Sequence, residues 1–361
     1  MMVKRAHGFA ILALPVLGLF PAVGGTEPEG GPPVIPEASE EPGGGTEGGA
    51  GLTEVSSGVD VLHRDEASEF EPQRARFQVQ VSDVTVPYRV MAVSVLPGES
   101  VQVSVVSGEE ATASLEPGWE AVDHRGPVEP TDPGHWTWRA PSEPGAYPVR
   151  VRSQALADSV HLNVLVLHPR TWVQEGYLDD FQIGGYRTGQ DGPPPPDGFF
   201  EVGPEEEEIL ASPHFVLGQF LSNQGGSPSY LALSEPLVLK LEAVLEAVNE
   251  EGISAPTLHV MSGFRTPAYN RAIGNRTELS RHLWGDAADI FIDTTGDGRM
   301  DDLNGDGRVD WRDAELLYRI VESVEEAGEV HIHPGGLAVY RENAVRGPFV
   351  HVDARGRPAR W

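Results

Sequence analysis

Two short histidine-containing segments constrain the fold of this chain more than any other feature. The first reads Ser280-Arg-His-Leu-Trp-Gly-Asp-Ala-Ala-Asp289, and the second reads Phe349-Val-His-Val-Asp353. Two imidazoles and one carboxylate are enough to hold a catalytic zinc ion, because the fourth tetrahedral position stays open to a water whose pKa zinc lowers to about 7. Any fold that uses these groups in this way must bring His282, Asp289 and His351 to one point.

The residues around the three candidate ligands predict how the chain brings them together. Gly285 and the small pair Ala287-Ala288 suit a tight turn that leads into a strand at 289–293. The period of two along a strand places His351 on the same face as Phe349 and Asp353. Each histidine alone is more often structural than metal-binding, so the prediction depends on the combination.

The pattern Ser-x-His-x-x-Gly-x-Ala-x-Asp, followed by a late histidine, resembles the zinc D-alanyl-D-alanine carboxypeptidase family. That family belongs to the LAS metallopeptidases, shares a core with hedgehog signalling domains and cuts bacterial cell-wall peptides. The resemblance covers residues 209–361. It implies a catalytic Zn²⁺ held by His282, Asp289 and His351, and an α+β domain with a small antiparallel sheet.

Two further residues match motifs of the family and are candidates for catalysis. Ser262-Gly-Phe-Arg265 resembles a Ser-Gly-Tyr/Phe-Arg motif in which the arginine faces the substrate. A guanidinium suits that role because its planar fork grips a carboxylate or a peptide carbonyl without losing its proton; alternatively, Arg265 caps a structural carboxylate. Ser280 is expected to bind substrate or to position the His282 loop, although its hydroxyl could equally cap a turn.

The residue that accepts the proton of the attacking water is not fixed by the sequence. Many relatives place a Glu or His shortly before the last zinc ligand, where this chain has Pro348 and Phe349. Asp353 is the first candidate, either as the base or as the partner that orients the His351 ring. Three weaker candidates remain, namely His331, His333 and Asp286.

The aspartate-rich segment 293–313 resembles an EF-hand or dockerin-like calcium loop inserted into the domain. The expected structural Ca²⁺ ligands are Asp302, Asn304, Asp306, Arg308 through its carbonyl, Asp310 and Asp313, with Gly307 at the turn. Position 12 is Asp313 instead of Glu. An upstream repeat that starts at Asp293 overlaps this loop, so we expect one calcium ion or two that share carboxylates. The alternative is an acidic loop without metal.

The remainder of the chain predicts a multidomain protein with an N-terminal β-sandwich of immunoglobulin-like type. Alternating apolar residues at 77–81, 101–105, 147–151 and 160–164 indicate strands separated by turn residues. The predicted organisation is a signal peptide at 1–24, a disordered Gly/Pro/Glu-rich linker at 25–71, the sandwich at 72–168, a connector at 169–208 and the peptidase-like domain at 209–361.

Charge and composition narrow the classes of partner. The chain has 55 acidic and 26 basic residues, a formal charge of −29 and no cysteine. Such a surface argues against binding to nucleic acid or anionic lipid, and the absence of cysteine excludes disulfides. The N-terminal pattern predicts export to the periplasm, the cell wall or the medium, with no stable membrane span after cleavage of the signal.

The leading functional hypothesis is an exported zinc peptidase that hydrolyses peptidoglycan stems or cross-links. The main alternative is a non-catalytic cell-wall binding or adhesion protein with a vestigial zinc site, in which the immunoglobulin-like domain holds a wall or protein partner. An ordinary protease of L-peptides is a third possibility. Whether the enzyme is a carboxypeptidase or an endopeptidase depends on how the cleft closes around the end of the substrate.

Overall fold

The structure, a computed structural model, describes residues 59–64, 69–106, 118–187, 193–275 and 277–361. The predicted signal peptide and most of the predicted linker lie outside these residues. Within the described ranges, no helix combines the length and the apolar character that crossing a bilayer requires.

The N-terminal part of the described chain is built from ten strands. They are β1 (Arg74–Val81), β2 (Val84–Tyr88), β3 (Val90–Val95), β4 (Ser100–Val106), β5 (Trp119–Asp123), β6 (Gly126–Val128), β7 (Pro130–Asp132), β8 (His135–Arg139), β9 (Gly145–Ser153) and β10 (Asp158–Val166). The four strands predicted from alternation are present. In β1, β4 and β9 burial is mostly alternate, whereas β10 is buried on both faces, including His161 and Asn163.

These strands form two five-stranded sheets. The first has the order β2-β1-β4-β8-β7 and the second the order β3-β10-β9-β5-β6, in which β3 runs parallel to β10. Trp136 and Trp138 are almost fully buried, and the buried apolar side chains of both sheets belong to one core. The immunoglobulin-like type of this region stays a prediction.

The segment predicted as a connector, 169–208, contains regular structure. The elements between the two parts are β11 (His168–Pro169), β12 (Tyr177–Leu178), β13 (Phe181–Gln182), β14 (Gly198–Val202), β15 (Leu210–Ser212), β16 (Phe215–Val216) and β17 (Ser229–Leu231), with 3-10 turns at Arg170–Trp172, Glu206–Glu208 and Leu217–Phe220. β14 lies between β11 and β17, and Phe199 and Phe200 are buried in the core. This burial provides the apolar contacts that the Gly/Pro-rich composition did not suggest.

The end of the predicted linker is also attached to the folded chain. Val59 is buried, and the backbone N–H of Leu62 donates to Asn163 Oδ1 at 3.0 Å. His63 forms an isolated β-bridge with Ile209. The ordered region therefore begins before residue 72.

The C-terminal part contains the three helices and a five-stranded sheet. Its elements are α1 (Glu235–Glu250), β18 (His259–Ser262), α2 (Pro267–Ala272), a 3-10 turn (Arg281–Trp284), β19 (Ala287–Phe291), α3 (Trp311–Ala327), β20 (Gly336–Tyr340), β21 (Phe349–Asp353) and β22 (Ala359–Arg360). The sheet order is β18-β19-β21-β20-β22, so β19 and β21 occupy inner positions.

Residues typical of helix starts stand at the N-termini of α1 and α2. Ser234 is the N-cap of α1 but makes no side-chain capping hydrogen bond, and proline occupies the first turn. At α2, Thr266 Oγ1 accepts a hydrogen bond from the backbone N–H of Tyr269 at 3.0 Å, and Pro267 starts the helix.

Helix α1 connects the N-terminal sheets to the C-terminal part. The carboxylate of Glu235 accepts a hydrogen bond from the backbone N–H of Ser94 in β3 at 2.7 Å. Near the other end of the helix, Tyr88 Oη donates to Glu246 at 3.1 Å, and Arg74 forms an ion pair with the same carboxylate. Polar contacts near both ends of α1 therefore attach this helix to the N-terminal strands.

Candidate active site

The three predicted zinc ligands lie together in the structure. The distances are 2.9 Å from His351 Nδ1 to Asp289 Oδ1, 3.3 Å from His282 Nε2 to Asp289 Oδ1, and 3.3 Å from His282 Nε2 to His351 Nδ1. Two ligand atoms of a tetrahedral zinc site with bonds of 2.0–2.1 Å are roughly 3.3 Å apart. The triangle of donor atoms therefore fits one zinc ion and leaves a fourth position for water or substrate.

The backbone fixes the position of each ligand. Asp289 on β19 and His351 on β21 are direct partners in the antiparallel ladder, so their side chains lie on the same face of the sheet. His282 comes from the preceding 3-10 turn, and its backbone carbonyl accepts a hydrogen bond from the N–H of Arg265 at 3.0 Å. Gly285 ends that turn at φ +68°, as the sequence suggested.

Hydrogen bonds set the tautomer of both histidines. His282 Nδ1 lies 2.7 Å from the carbonyl oxygen of Gly263, and this bond requires a proton on Nδ1. His351 Nε2 faces Asp353 Oδ2 at 3.4 Å, which places its proton on that side. The nitrogens that point at the zinc position are thus left with lone pairs, as metal ligation requires.

The electrostatics of the site keep Asp289 ionised. Burial alone would raise the pKa of Asp289, but His282 and His351 lower it far below the usual aspartate range. Arg265 Nη2 also donates to Asp289 Oδ2 at 2.7 Å. For His351, burial lowers the pKa, but hydrogen bonds with Asp289 and Asp353 raise it above the usual histidine value. A metal ion therefore competes with a proton for this ring.

Arg265 occupies a position that combines both predicted alternatives. Its Nε donates to Ser262 Oγ at 2.8 Å, and its Nη2 holds the carboxylate oxygen of Asp289 that faces away from the histidines. The guanidinium also lines the cleft that contains the ligands. Ser280 lines the same cleft and makes no side-chain capping bond at the turn that follows it.

Asp353 has the surroundings of a positioning residue. Its side chain is fully buried, and it accepts hydrogen bonds from the backbone N–H of Gly336 at 2.8 Å and from Arg355. Burial would raise the pKa of Asp353, but hydrogen bonds from His351 and Arg355 lower it well below the usual range. It does not line the cleft in the described part of the chain. These contacts favour the orienting role for Asp353 over that of a base.

The weaker base candidates lie away from the cleft. His331 is buried beside Tyr88 with a ring-centroid separation of 6.2 Å, and His333 is exposed. Asp286 forms an ion pair with Arg281, and burial raises its pKa. His214, which the sequence analysis did not select as a ligand, pairs with Glu242 at 2.9 Å.

The ligands line a cleft of about 450 Å³. Its walls are formed by Arg265, Asn275, Thr277, Leu279, Ser280, Arg281, His282, Asp289, Tyr340, Arg346, Phe349, His351, Arg355 and Trp361. Apart from the three ligands, these described lining residues provide no carboxylate and no imidazole. The cleft is instead rich in arginine, although the whole chain carries a charge of −29.

Sequence reasoning missed an aromatic and basic wall of this cleft. Tyr340 and Phe349 stack with a centroid separation of 4.7 Å, and Trp361 Nε1 donates to Tyr340 Oη at 3.1 Å. The guanidinium carbon of Arg346 lies 4.3 Å from the centre of the Phe349 ring. The aromatic residues near the C-terminus were a signal in the sequence, but only the pairing of β20 with β21 shows that they meet.

The predicted calcium loop forms two turns of similar backbone conformation. Asp293 accepts from the N–H groups of Gly296 and Gly298, and Asp302 accepts in the same way from Gly305 and Gly307. Asp313 is buried and caps α3 by accepting from the N–H of Asp310 at 2.8 Å.

The carboxylates of this loop are not gathered into a metal cage. In the part of the chain that the structure describes, no three of Asp302, Asp306, Asp310 and Asp313 bring carboxylate oxygens within 4.8 Å of one another. Calcium binding by the six predicted residues therefore stays a prediction.

Comparison with known proteins supports the class of the site. Residues 214–303 match the model of the family described as Peptidase M15. This match contains His282 and Asp289 and ends before His351, which the fold supplies from the neighbouring strand. The match supports an M15 zinc peptidase-like domain in the C-terminal part of the chain. Comparisons with curated proteins and with solved structures gave no significant match.

Proposed function

We propose that this chain is an exported, zinc-dependent peptidase that hydrolyses peptide bonds in peptidoglycan stems or cross-links. The observation that carries the proposal is the triangle of donor atoms from His282, Asp289 and His351 in the wall of an accessible cleft. The sequence resemblance to D-alanyl-D-alanine carboxypeptidases supports the substrate class, and the N-terminal pattern supports export.

The residues of the cleft would bind the metal, stabilise charge and position the ligands. His282, Asp289 and His351 hold the ion, which supplies Lewis-acid polarisation of the scissile carbonyl and activation of water when it is bound. Arg265 holds Oδ2 of Asp289 and presents positive charge where the carbonyl oxygen would become negative. Asp353 orients the His351 ring, and the Ser280 hydroxyl lies in the cleft wall, where it can bind the substrate backbone.

Arg346 is our candidate for binding the anionic end of the peptide. The three other arginines of the cleft each form an ion pair with an aspartate, namely Arg265 with Asp289, Arg281 with Asp286 and Arg355 with Asp353. Within the described residues, Arg346 has no acidic partner, and its guanidinium packs against the Phe349 ring. This guanidinium could bind a free carboxylate of the substrate through two parallel hydrogen bonds.

Hydrolysis of purified muropeptides, with and without chelator, tests the proposal. We expect the wild-type chain to release amino acids or peptides in a zinc-dependent way, and His282→Ala to lose activity together with zinc. His333→Ala removes an exposed imidazole outside the cleft and is the matched control. A chain with full zinc occupancy that turns over no muropeptide would contradict the enzyme proposal.

One observation favours the alternative of a non-catalytic wall-binding protein. The described cleft residues include no obvious proton acceptor besides the ligands. In that case, the zinc-loaded chain would bind muropeptides without cleaving them, and the N-terminal sheets would provide a second contact with a wall or protein partner. Sedimentation with purified peptidoglycan, combined with the hydrolysis assay, separates the two functions.

We also propose a structural Ca²⁺ in the loop 293–313. The spacing of oxygen ligands from Asp302 to Asp313 supports it, as does the turn around Gly307. Calorimetry with Ca²⁺ should give binding that Asp306→Asn weakens and that His282→Ala leaves unchanged. Equal calcium affinity in wild type and Asp306→Asn would contradict this assignment.

A further inference from the structure

A second group of metal-ligating side chains lies outside the cleft. His168 belongs to β11, Glu201 belongs to β14, and Asp179 lies in the turn between β12 and β13. One donor atom from each residue lies within 4.8 Å of the other two. None of these residues lines the zinc cleft.

The sheet that contains β14 sets up this cluster. β11 pairs with one side of β14, and β17 pairs with the other side, where Glu201 is the direct partner of Tyr230. The Tyr230 hydroxyl contacts Glu201 Oε2 at 2.9 Å and also the carboxylate of Asp179. Its ring packs against the His168 imidazole, with 5.3 Å between the ring centres.

The cluster has more acceptors than donors. A phenol carries one proton, so Tyr230 can donate to Asp179 or to Glu201 but not to both at once. In the described part of the chain, no lysine or arginine forms an ion pair with either carboxylate; the closest basic group is His168 Nε2, at 3.5 Å from Glu201. The two carboxylates therefore share one hydroxyl proton, and a bound cation would reduce the repulsion between their negative charges.

The imidazole of His168 has the properties of a metal ligand. Its Nε2 lies 3.5 Å from Glu201 Oε2. Its Nδ1 is buried and makes no hydrogen bond within the described residues. The Tyr230 hydroxyl contacts both carboxylates and holds them in place.

We propose that His168, Asp179 and Glu201 bind a second divalent cation of the first transition row, either Zn²⁺ or Mn²⁺. One nitrogen and two carboxylate donors suit these borderline ions better than the all-oxygen shell of calcium. Ligand atoms around such an ion are roughly 3 Å apart when adjacent and 4 Å apart when opposite, so small side-chain movements close the site.

The second cation would stiffen the segment that supports the peptidase turn. The ion would connect β11, the β12–β13 hairpin and β14. The segment between β13 and β14 contacts the turn that carries His282. Tyr186 Oη donates to the carbonyl of Leu283 at 2.8 Å, and Trp284 Nε1 donates to the carbonyl of Pro194 at 2.8 Å. The site does not depend on the proposed peptidase activity.

Metal stoichiometry tests this proposal. The full chain is freed of metal with chelator and titrated with Zn²⁺, and separately with Mn²⁺, in millimolar Ca²⁺ that saturates oxygen-only sites. We expect two transition-metal ions per wild-type chain, one in His282→Ala, one in Glu201→Gln and none in the double variant. Glu205→Gln, an exposed acid in the same segment, is the matched control and should keep two.

Either of two results would contradict the second site. The first is that His282→Ala binds no transition-metal ion. The second is that Glu201→Gln keeps the second ion with unchanged affinity. Circular dichroism checks that each variant is folded, and Asp179→Asn replaces Glu201→Gln if the latter does not fold. Anomalous scattering from Mn²⁺-soaked crystals gives a direct readout, with a peak expected roughly 2.2 Å from a His168 nitrogen and its absence counting against the site.

Discussion

Arg265 donates from Nη2 to Oδ2 of Asp289 at 2.7 Å, and this bond leaves Oδ1 of the same carboxylate for the two histidines. The carboxylate is thereby divided between a guanidinium and the zinc position. An ionised carboxylate that is held in this way costs little to organise when the ion binds. The arginine of the Ser-Gly-Phe-Arg motif therefore serves both the metal and the cleft.

Replacing Arg265 with glutamine should weaken zinc binding by about 10- to 100-fold, because partners that hold a ligand contribute to metal affinity on that scale. Competition with a chromogenic chelator measures the change. Arg187→Gln is the control, since Arg187 forms an exposed ion pair with Glu278 away from the ligands. Unchanged zinc affinity in Arg265→Gln would show that Arg265 acts on the substrate alone.

Replacing Arg346 with glutamine should reduce kcat/KM for peptides that end in a free carboxylate by about 10- to 100-fold, since a hydrogen bond to a charged group contributes about 1.5–3 kcal/mol. The same peptides with an amidated end should be affected little. Arg341→Gln is the matched control, because Arg341 stacks on Trp311, 4.7 Å from the ring centre. Equal losses on both kinds of peptide would remove Arg346 from carboxylate recognition.

Replacing Gly285 with alanine should abolish folding of the zinc turn. An added Cβ would lie 2.0 Å from the carbonyl oxygen of Ala232, and the residue also has φ +68°. Gly298→Ala isolates the backbone contribution, because Gly298 has φ +76° and open space around it. We expect a loss of about 1 kcal/mol for Gly298→Ala and a much larger loss for Gly285→Ala. Similar melting temperatures for the two variants would contradict the steric argument.

Replacing Asp123 with asparagine should destabilise the chain most at neutral pH. Burial would raise the pKa of Asp123, but hydrogen bonds from Arg125 and the Trp138 indole lower it. A lowered folded-state pKa gives stability that is present above the unfolded value of about 4 and is lost as the pH falls further.

We expect a deficit of about 1–3 kcal/mol at pH 7 that shrinks below pH 4. Urea unfolding at several pH values measures it. Asp132→Asn, which alters an exposed strand residue, should change stability by less than about 0.5 kcal/mol. A deficit in Asp123→Asn that does not vary with pH would rule out the charged carboxylate as its source.

The parts of the fold that local patterns determine were predictable from the sequence. Strand alternation placed β1, β4, β9 and β10. The grouping of His282, Asp289 and His351 was also predictable, because their spacing is specific. The match to the peptidase M15 family supports that reading. The strand that carries Asp289 lies at Ala287–Phe291, two residues before its predicted position.

The features that depend on long-range pairing were not predictable. Arg346 and Trp361 reach the cleft only because β20 pairs with β21 on one side and with β22 on the other. The acids of the second cluster come from a turn and a strand with no spacing motif between them. Phe199 and Phe200 were hidden in a Gly/Pro-rich stretch, where composition outweighed two apolar residues. Asp353 was named either as the base or as the partner that orients His351, and the burial that favours the second role could not be read from the sequence.

The cross-strand pairing of Asp289 with His351 has a consequence for how this chain can change over time. The two strands fix the distance between these ligands, so the chain that joins them is not needed to set it. The long excursion from β19 to β21, which includes the aspartate-rich turns and α3, can lengthen, shorten or acquire new ion sites while the donor triangle stays intact. New regulatory loops could therefore be added at this point without rebuilding the chemistry beside it.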